Sequence, residues 1–170
     1  MAIDLTLKSA DLTRRDATPP TAGNPGAGGI GVKKFVQGYI ASVPALLSAT
    51  SIIRLVDVPA HCYIKSVKFF TEAQGAASTF DVGLYKSPNG AVIDADFFGS
   101  AVATSARVDG TEIMNESAVA TIADRILPLW EAAGVAIEPA KGTMYEIAVT
   151  NVAAVVAGLV PLGIEVEYIE

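Results

Sequence analysis

The stretch Leu162-Gly-Ile-Glu-Val-Glu-Tyr-Ile169 alternates apolar and acidic residues almost without a break. On an extended backbone, successive side chains point to opposite faces. Leu162, Ile164, Val166 and Tyr168 therefore share one face, and Glu165 and Glu167 the other. A helix would scatter the same apolar residues around its circumference, so the pattern specifies a strand. The same period recurs upstream. Thr143–Asn151 sets Tyr145, Ile147 and Val149 inward against Met144, Glu146 and Ala148. Thr79–Tyr85 sets Phe80, Val82 and Leu84 inward, with Asp81 and Gly83 outward. Tyr63–Thr71 places Tyr63, Val67 and Phe69 together, with Lys65 breaking the rule. Ser51–Val58 is β-branched and ends at Pro59, and Phe35, Gln37, Tyr39 and Ala41 share one face.

The intervening segments carry turn chemistry. Ser87-Pro88-Asn89-Gly90 is a strong turn signal, with Ala91–Ile93 expected as a short returning strand. Asp94–Thr104 and Asn115–Ala123 read as short helices or loops. Asp94 and Asp96 are then available to cap a helix beginning near Phe97. Pro128–Ala133 suits one helical turn, with Pro128 at its first position and Gly134 just past its end. There is no internal repeat and no strand–helix–strand alternation. Seven or eight short strands joined by Gly- and Pro-rich turns predict an all-β, antiparallel β-sandwich. Several long connections make it jelly-roll-like. A chain of 170 residues buries enough surface, roughly 70%, to need neither disulfide nor metal.

Residues 1–34 read as an extended Gly/Pro-rich N-terminal arm, and residues 35–170 as the sandwich body. Pro19-Pro20 and Pro25 block helix, and Gly23, Gly26, Gly28, Gly29 and Gly31 bring no side chains to pack. Ile3, Leu5 and Leu7 alternate, so Met1–Thr13 can add a short strand. Gly26, Gly28 and Gly31 match the dinucleotide pattern G-x-G-x-x-G. That fingerprint needs a strand before it and a helix after it. Here Thr18-Pro19-Pro20-Thr21 precedes it and the strand-like Val32–Ile40 follows. A phosphate-binding P-loop would need Lys at position 32, which is Val32. A tether is the better reading. Such a segment loses much backbone entropy on ordering and buries little, so its order must come from another chain. Pro20, Gly26, Gly28, Gly29 and Lys33 are the expected partner contacts.

The net charge of −6 is unevenly spread. Residues 1–34 hold five basic and three acidic residues, a net +2, while the remainder is −8. An acidic body makes a poor nucleic-acid partner, because phosphate contacts require clustered Lys and Arg. The uncharged runs Phe35–Ile53 and Ile147–Ile164 contain polar residues, glycine and proline, so they read as strands and loops rather than membrane spans. Met1–Arg15 has no continuous apolar core of the kind a signal peptide carries.

Chemistry-bearing residues are sparse. His61 is the only histidine and Cys62 the only cysteine. Neighbours on a strand point apart, so they do not form a nucleophile–base pair. His61 is expected in a turn, and Cys62 as a small packed residue. Asp94 and Asp96 lack the spacing of a calcium loop. Glu112, Glu116 and Asp124 form no recognisable acid–base pair, and Asn115-Glu116-Ser117 matches a glycosylation triplet without other signs of secretion. Trp130, flanked by Leu127, Leu129 and Val135, reads as a core anchor. No catalytic residue, cofactor or metal is expected, and the chain does not read as an enzyme.

The connection Val152–Leu162, VAAVVAGLVPL, is too apolar for a loop left in water. Val152, Val155, Val156 and Leu159 are therefore expected as contacts between subunits. Over residues 50–170 the chain resembles accessory head proteins of tailed bacteriophages. The resemblance is carried by ILPLWEAAGV, by FDVGLYKSPNGAVIDADFF and by TMYEIAVTNVAAVVAGLVPLGIEVEY, the last read as a closing hairpin. It implies a capsid decoration or cement protein, a homotrimer bound to the major capsid protein on the outer surface of the virion. Neither nucleic acid nor membrane is implied as a partner. The alternative is a sugar- or receptor-binding module of a tail or fibre, with Trp130, Tyr85 and Tyr63 as stacking residues.

Overall fold

The computed structural model describes residues 6–8, 32–43, 48–75, 77–114, 125–153 and 160–170. Within them the chain forms β1 (Thr6–Lys8), β2 (Lys33–Val43), β3 (Ile52–Pro59), β4 (Tyr63–Thr71), β5 (Thr79–Lys86), β6 (Val92–Ala103) and β7 (Val108–Glu112). A one-turn helix, α1 (Leu129–Ala132), then precedes β8 (Met144–Ala153) and β9 (Val160–Ile169). The strands make two sheets, in the orders β1-β3-β8-β5-β6 and β2-β9-β4-β7. All pairs are antiparallel except β1 with β3, where Thr6 pairs with Ile52 and Lys8 with Arg54. The short strand expected within Met1–Thr13 thus lies at Thr6–Lys8.

The chain crosses from one sheet to the other at every connection except β5–β6. The inner faces then meet in one core. Ile53, Leu55 and Val58 of β3, Phe80, Val82 and Leu84 of β5, and Tyr145, Ile147 and Val149 of β8 line one side. Ile64, Val67 and Phe69 of β4 and Leu162, Ile164, Val166 and Tyr168 of β9 line the other. Phe69 and Phe80 join the sheets, with ring centroids 6.5 Å apart. The alternation in β9 is realised as the sequence requires.

Three expectations are corrected, and one, the outward-facing Gly83, holds with a difference. First, β8 and β9 do not form a hairpin. β8 pairs with β3 and β5, and β9 with β2 and β4, so their connection passes between sheets. Two amphipathic strands with inward apolar faces satisfy each other as well across a sandwich as along an edge. Second, Asp94–Thr104 is neither helix nor loop but most of β6. Val82 pairs with Gly99 and Leu84 with Asp94, so Ala95–Phe98 occupy the space opposite Gly83 alone. The extra residues break the period, turning Phe97 and Phe98 into the core edge to face at 4.9 Å. Third, Gly83 points outward yet is buried, because Ala95 curls over it. A Cβ at Gly83 would lie 2.3 Å from the Ala95 carbonyl. Fourth, Lys65 falls at a register shift between Ile64 and Ser66. That shift moves Ile64 into the core and leaves Tyr63 only half-buried.

The turns form as expected. Lys86 N–H donates to Ala91 O at 2.7 Å, and Gly90 takes φ +69° to close the Ser87–Gly90 turn. α1 docks on the β3–β4 connection, with Leu129 N–H donating to Cys62 O and Trp130 N–H to Ala60 O. Gly134, at φ +67°, ends it. The segment Asn115–Ala123 lies outside the described residues.

Candidate functional site

The outward face of the four-stranded sheet carries the most distinctive described surface. Its rows follow from the pairing registers. Tyr39 of β2 lies opposite Gly163 of β9, which lies opposite Phe70 of β4 and then Asp109 of β7. Glycine at the centre of this row leaves a notch between two rings. A Cβ at Gly163 would meet the Tyr39 ring at 3.7 Å, and one at Gly110 would meet Phe70 at 3.0 Å. The result is a groove of about 350 Å³, floored by Gly163 and walled by Tyr39 and Phe70, with Glu72, Arg107 and Asp109 at its rim. Arg107 pairs with Asp109 at 3.3 Å and with Glu72 at 3.6 Å, so the rim is charged, with one acidic group in excess.

The adjacent rows are polar. Glu165 accepts from Gln37 and from Lys68, each at 3.3 Å. Glu112 accepts from Ser66 Oγ at 2.5 Å and Val67 N at 3.0 Å. Phe35 and Tyr39 remain 54% and 58% exposed on this face. The β2 residues with the opposite parity, Val36, Gly38 and Ile40, face the interior. Gly38 is forced there by contact, since a Cβ would lie 2.4 Å from Leu55 O.

The opposite sheet contains a second polar feature that the sequence does not announce. Arg54 and Glu146 are 3% and 0% exposed. Both Nε and an Nη of Arg54 donate to the Glu146 carboxylate, and Arg54 also donates to Pro88 O at 2.6 Å. Gly90 lies against the guanidinium, so the Ser87–Gly90 turn covers the pair. Glu146, expected to face outward, does so but under this lid. The available signal was the one arginine of β3 and the one glutamate of β8, each set among β-branched and apolar residues.

The chemical candidates are absorbed into the framework. His61 lies in a turn, with Nε2 3.3 Å from Glu138. Cys62 is fully buried, and that burial pushes its thiol well above the usual range. Asp94 is held above its ordinary value by partial burial and by a hydrogen bond with Asp96. Those two carboxylates sit on β6 rather than capping a helix. Trp130 packs against the core while remaining partly accessible. Tyr85, a proposed stacking residue, is fully buried, with its hydroxyl bonded to Thr150 Oγ1. Burial raises its phenol. Among the described residues no group of three or more His, Cys, Asp or Glu side chains could hold a metal. No described helix is long and apolar enough to cross a membrane.

Of the expected contact residues, two are described. Lys33 is exposed at the start of β2 and pairs with Glu167, and Val152 is exposed at 42%. Pro20, Gly26, Gly28, Gly29, Val155, Val156 and Leu159 lie outside the described residues, as do Glu116 and Asp124.

The fold and surface define a two-sheet β-sandwich with a glycine-floored aromatic groove. No protein-family model matches the chain, and no curated protein sequence matches it. Among solved structures it is similar to a chain of the capsid of Ralstonia phage GP4, with a TM-score of 0.65 and 14% identity over 97% of both chains. A chain of the cyanophage Pam1 capsid asymmetric unit aligns with a TM-score of 0.46 and 14% identity, over 91% of this chain and 96% of that one.

Proposed function

We propose that this chain is a structural protein of a phage head. In this reading it is a decoration or cement protein that binds the outer surface of the shell and bridges capsomers. The observation that carries the reading is the shared fold with a phage capsid chain along 97% of both molecules. The strand path supports it: with β1 set aside, the orders β2-β9-β4-β7 and β3-β8-β5-β6 are read here as a jelly roll. The body is then a rigid block set over a junction in the shell. Residues 1–34 extend from it, and Pro20, Gly26, Gly28, Gly29 and Lys33 contact the major capsid protein. Val152, Val155, Val156 and Leu159 hold three copies together. Three arms acting together give avidity that one arm lacks. The chain is read as non-enzymatic, needing no cofactor. The sugar-binding alternative loses Tyr85 to the core and is not favoured.

Co-sedimentation with capsids stripped of accessory proteins tests this. The full chain is expected to pellet with shells. A chain lacking residues 1–31 is expected to melt cooperatively but fail to pellet, since the described part of that deletion is only the three-residue edge strand β1. Full binding by the truncated chain would overturn the role of the arm, and no binding by the full chain would overturn the cement reading.

A further inference from the structure

The described sheets end in four edge strands, and three of them are blunted. β1 has three residues. β6 is broken by three register shifts against β5 and carries Asp94 and Asp96. β7 has five residues, with Asp109, Glu112 and a positive-φ Gly110. β2 is less defended, with lysines only at its first two positions, Lys33 and Lys34, and a single register shift beyond Ile40. It runs eleven residues, keeps an unbroken register with β9 from Lys33 to Ile40, and carries no charge from Phe35 to Val43. Among the described strands only β9 pairs with it. A long, regular, uncharged edge with exposed aromatics is a template for another strand.

The sequence of β2 is complementary to itself. Paired antiparallel directly opposite residues must share a face, which restricts the two-fold axis to a residue position. With the axis at Gln37, Phe35 stands opposite Tyr39 of the second copy, and Tyr39 opposite its Phe35. Lys33 and Lys34 then face Ala41 and Ile40, so no like charges are opposed. The aromatic row Phe70–Gly163–Tyr39 continues into Phe35 of the second copy, on both sides of the axis. We propose that the outer edge of β2 pairs antiparallel with β2 of a second copy of this chain, about a two-fold axis at Gln37, joining two four-stranded sheets into one. The contact is isologous, so it is separate from the three-fold association proposed above and links such units to their neighbours.

Disulfide trapping in the full chain tests the register. Directly opposed residues have Cβ atoms about 4.5–5.5 Å apart, close to disulfide geometry. Gln37→Cys is therefore expected to form a linked dimer under mild oxidation. The native Cys62 is buried and contributes no background. Thr111→Cys, exposed on β7, is the control and is expected to link roughly tenfold more slowly. Adding Phe35→Lys to Gln37→Cys removes both aromatic pairs at once and is expected to bring linkage down to the control rate. An unchanged melting temperature would show that this variant is folded. Linkage of Gln37→Cys at the control rate, or linkage indifferent to Phe35→Lys, would overturn the proposal.

Discussion

Removing the carboxylate of Glu146 tests how the five-stranded sheet tolerates an ion pair on its central strand. The two residues are 3% and 0% exposed, and their bidentate contact lies beneath the Ser87–Gly90 turn. Glu146→Gln keeps the volume but takes from the buried Arg54 guanidinium the carboxylate it binds with two donors. One of its donors then faces an amide NH2. Breaking a buried pair by removing one partner costs about 3–5 kcal/mol. Domains of this size are stable by roughly 5–15 kcal/mol, so the change is a large share of the total. At about 2–4 °C per kcal/mol, the melting temperature should fall by roughly 6–20 °C. Arg54→Met with Glu146→Leu removes both desolvation penalties and fills the space with apolar atoms. Pro88 is exposed, so its carbonyl can turn to water once Arg54 is gone. The double variant should therefore lie within about 1 kcal/mol of the parent or above it, far from the sum of the single changes. Circular dichroism melts and urea titrations of all four proteins close the cycle. A single-variant loss under about 1 kcal/mol, or additive losses in the double variant, would show that the pair is hydrated and that the turn does not seal it.

Two further outcomes follow from contacts already described. Gly83→Ala and Gly38→Ala place a Cβ 2.3 Å and 2.4 Å from backbone oxygens, so each should destabilise by at least about 1–3 kcal/mol. Gly142→Ala, at φ +85° but with nothing within 4 Å, should lose only about 1–2 kcal/mol in urea titration; equal losses at all three would refute the close-contact account. The Cys62 thiol, buried and held protonated, should resist thiol reagents at pH 8 in the native protein and react fully once unfolded; prompt native labelling would contradict its place in the core.

Alternation made the core legible wherever one residue faces one partner. It set the inward residues of β9 and of β5 correctly, and it failed where that count changes. Four residues of β6 fit opposite one of β5, so Asp94–Thr104 lost its period and its aspartates resembled a helix cap. The partner sheet is equally invisible to periodicity, because a strand's inward face is the same whether its neighbour in sequence lies beside it or across the core. That is why β8 and β9 looked like a hairpin. Polar burial was hidden for a related reason: Glu146 does point outward, and only the turn after β5, folding back over β8, makes that outward face an interior.

The exposed aromatics of β2 show the same limit from the other side. Period two assigns Phe35, Gln37 and Tyr39 to a common face but says nothing about which face it is. Composition alone would send two aromatics inward and leave Gly38 outside. The opposite holds because β2 and β3 meet so closely at Gly38 that no Cβ fits against Leu55 O. Glycine therefore sets the sign of the whole strand, and with the register fixed Phe35 and Tyr39 must stand in solvent. Exposing them forgoes hydrophobic stabilisation that a free-standing domain would keep. The arrangement recovers it when another surface covers the strand, as in the pairing of two β2 edges proposed above.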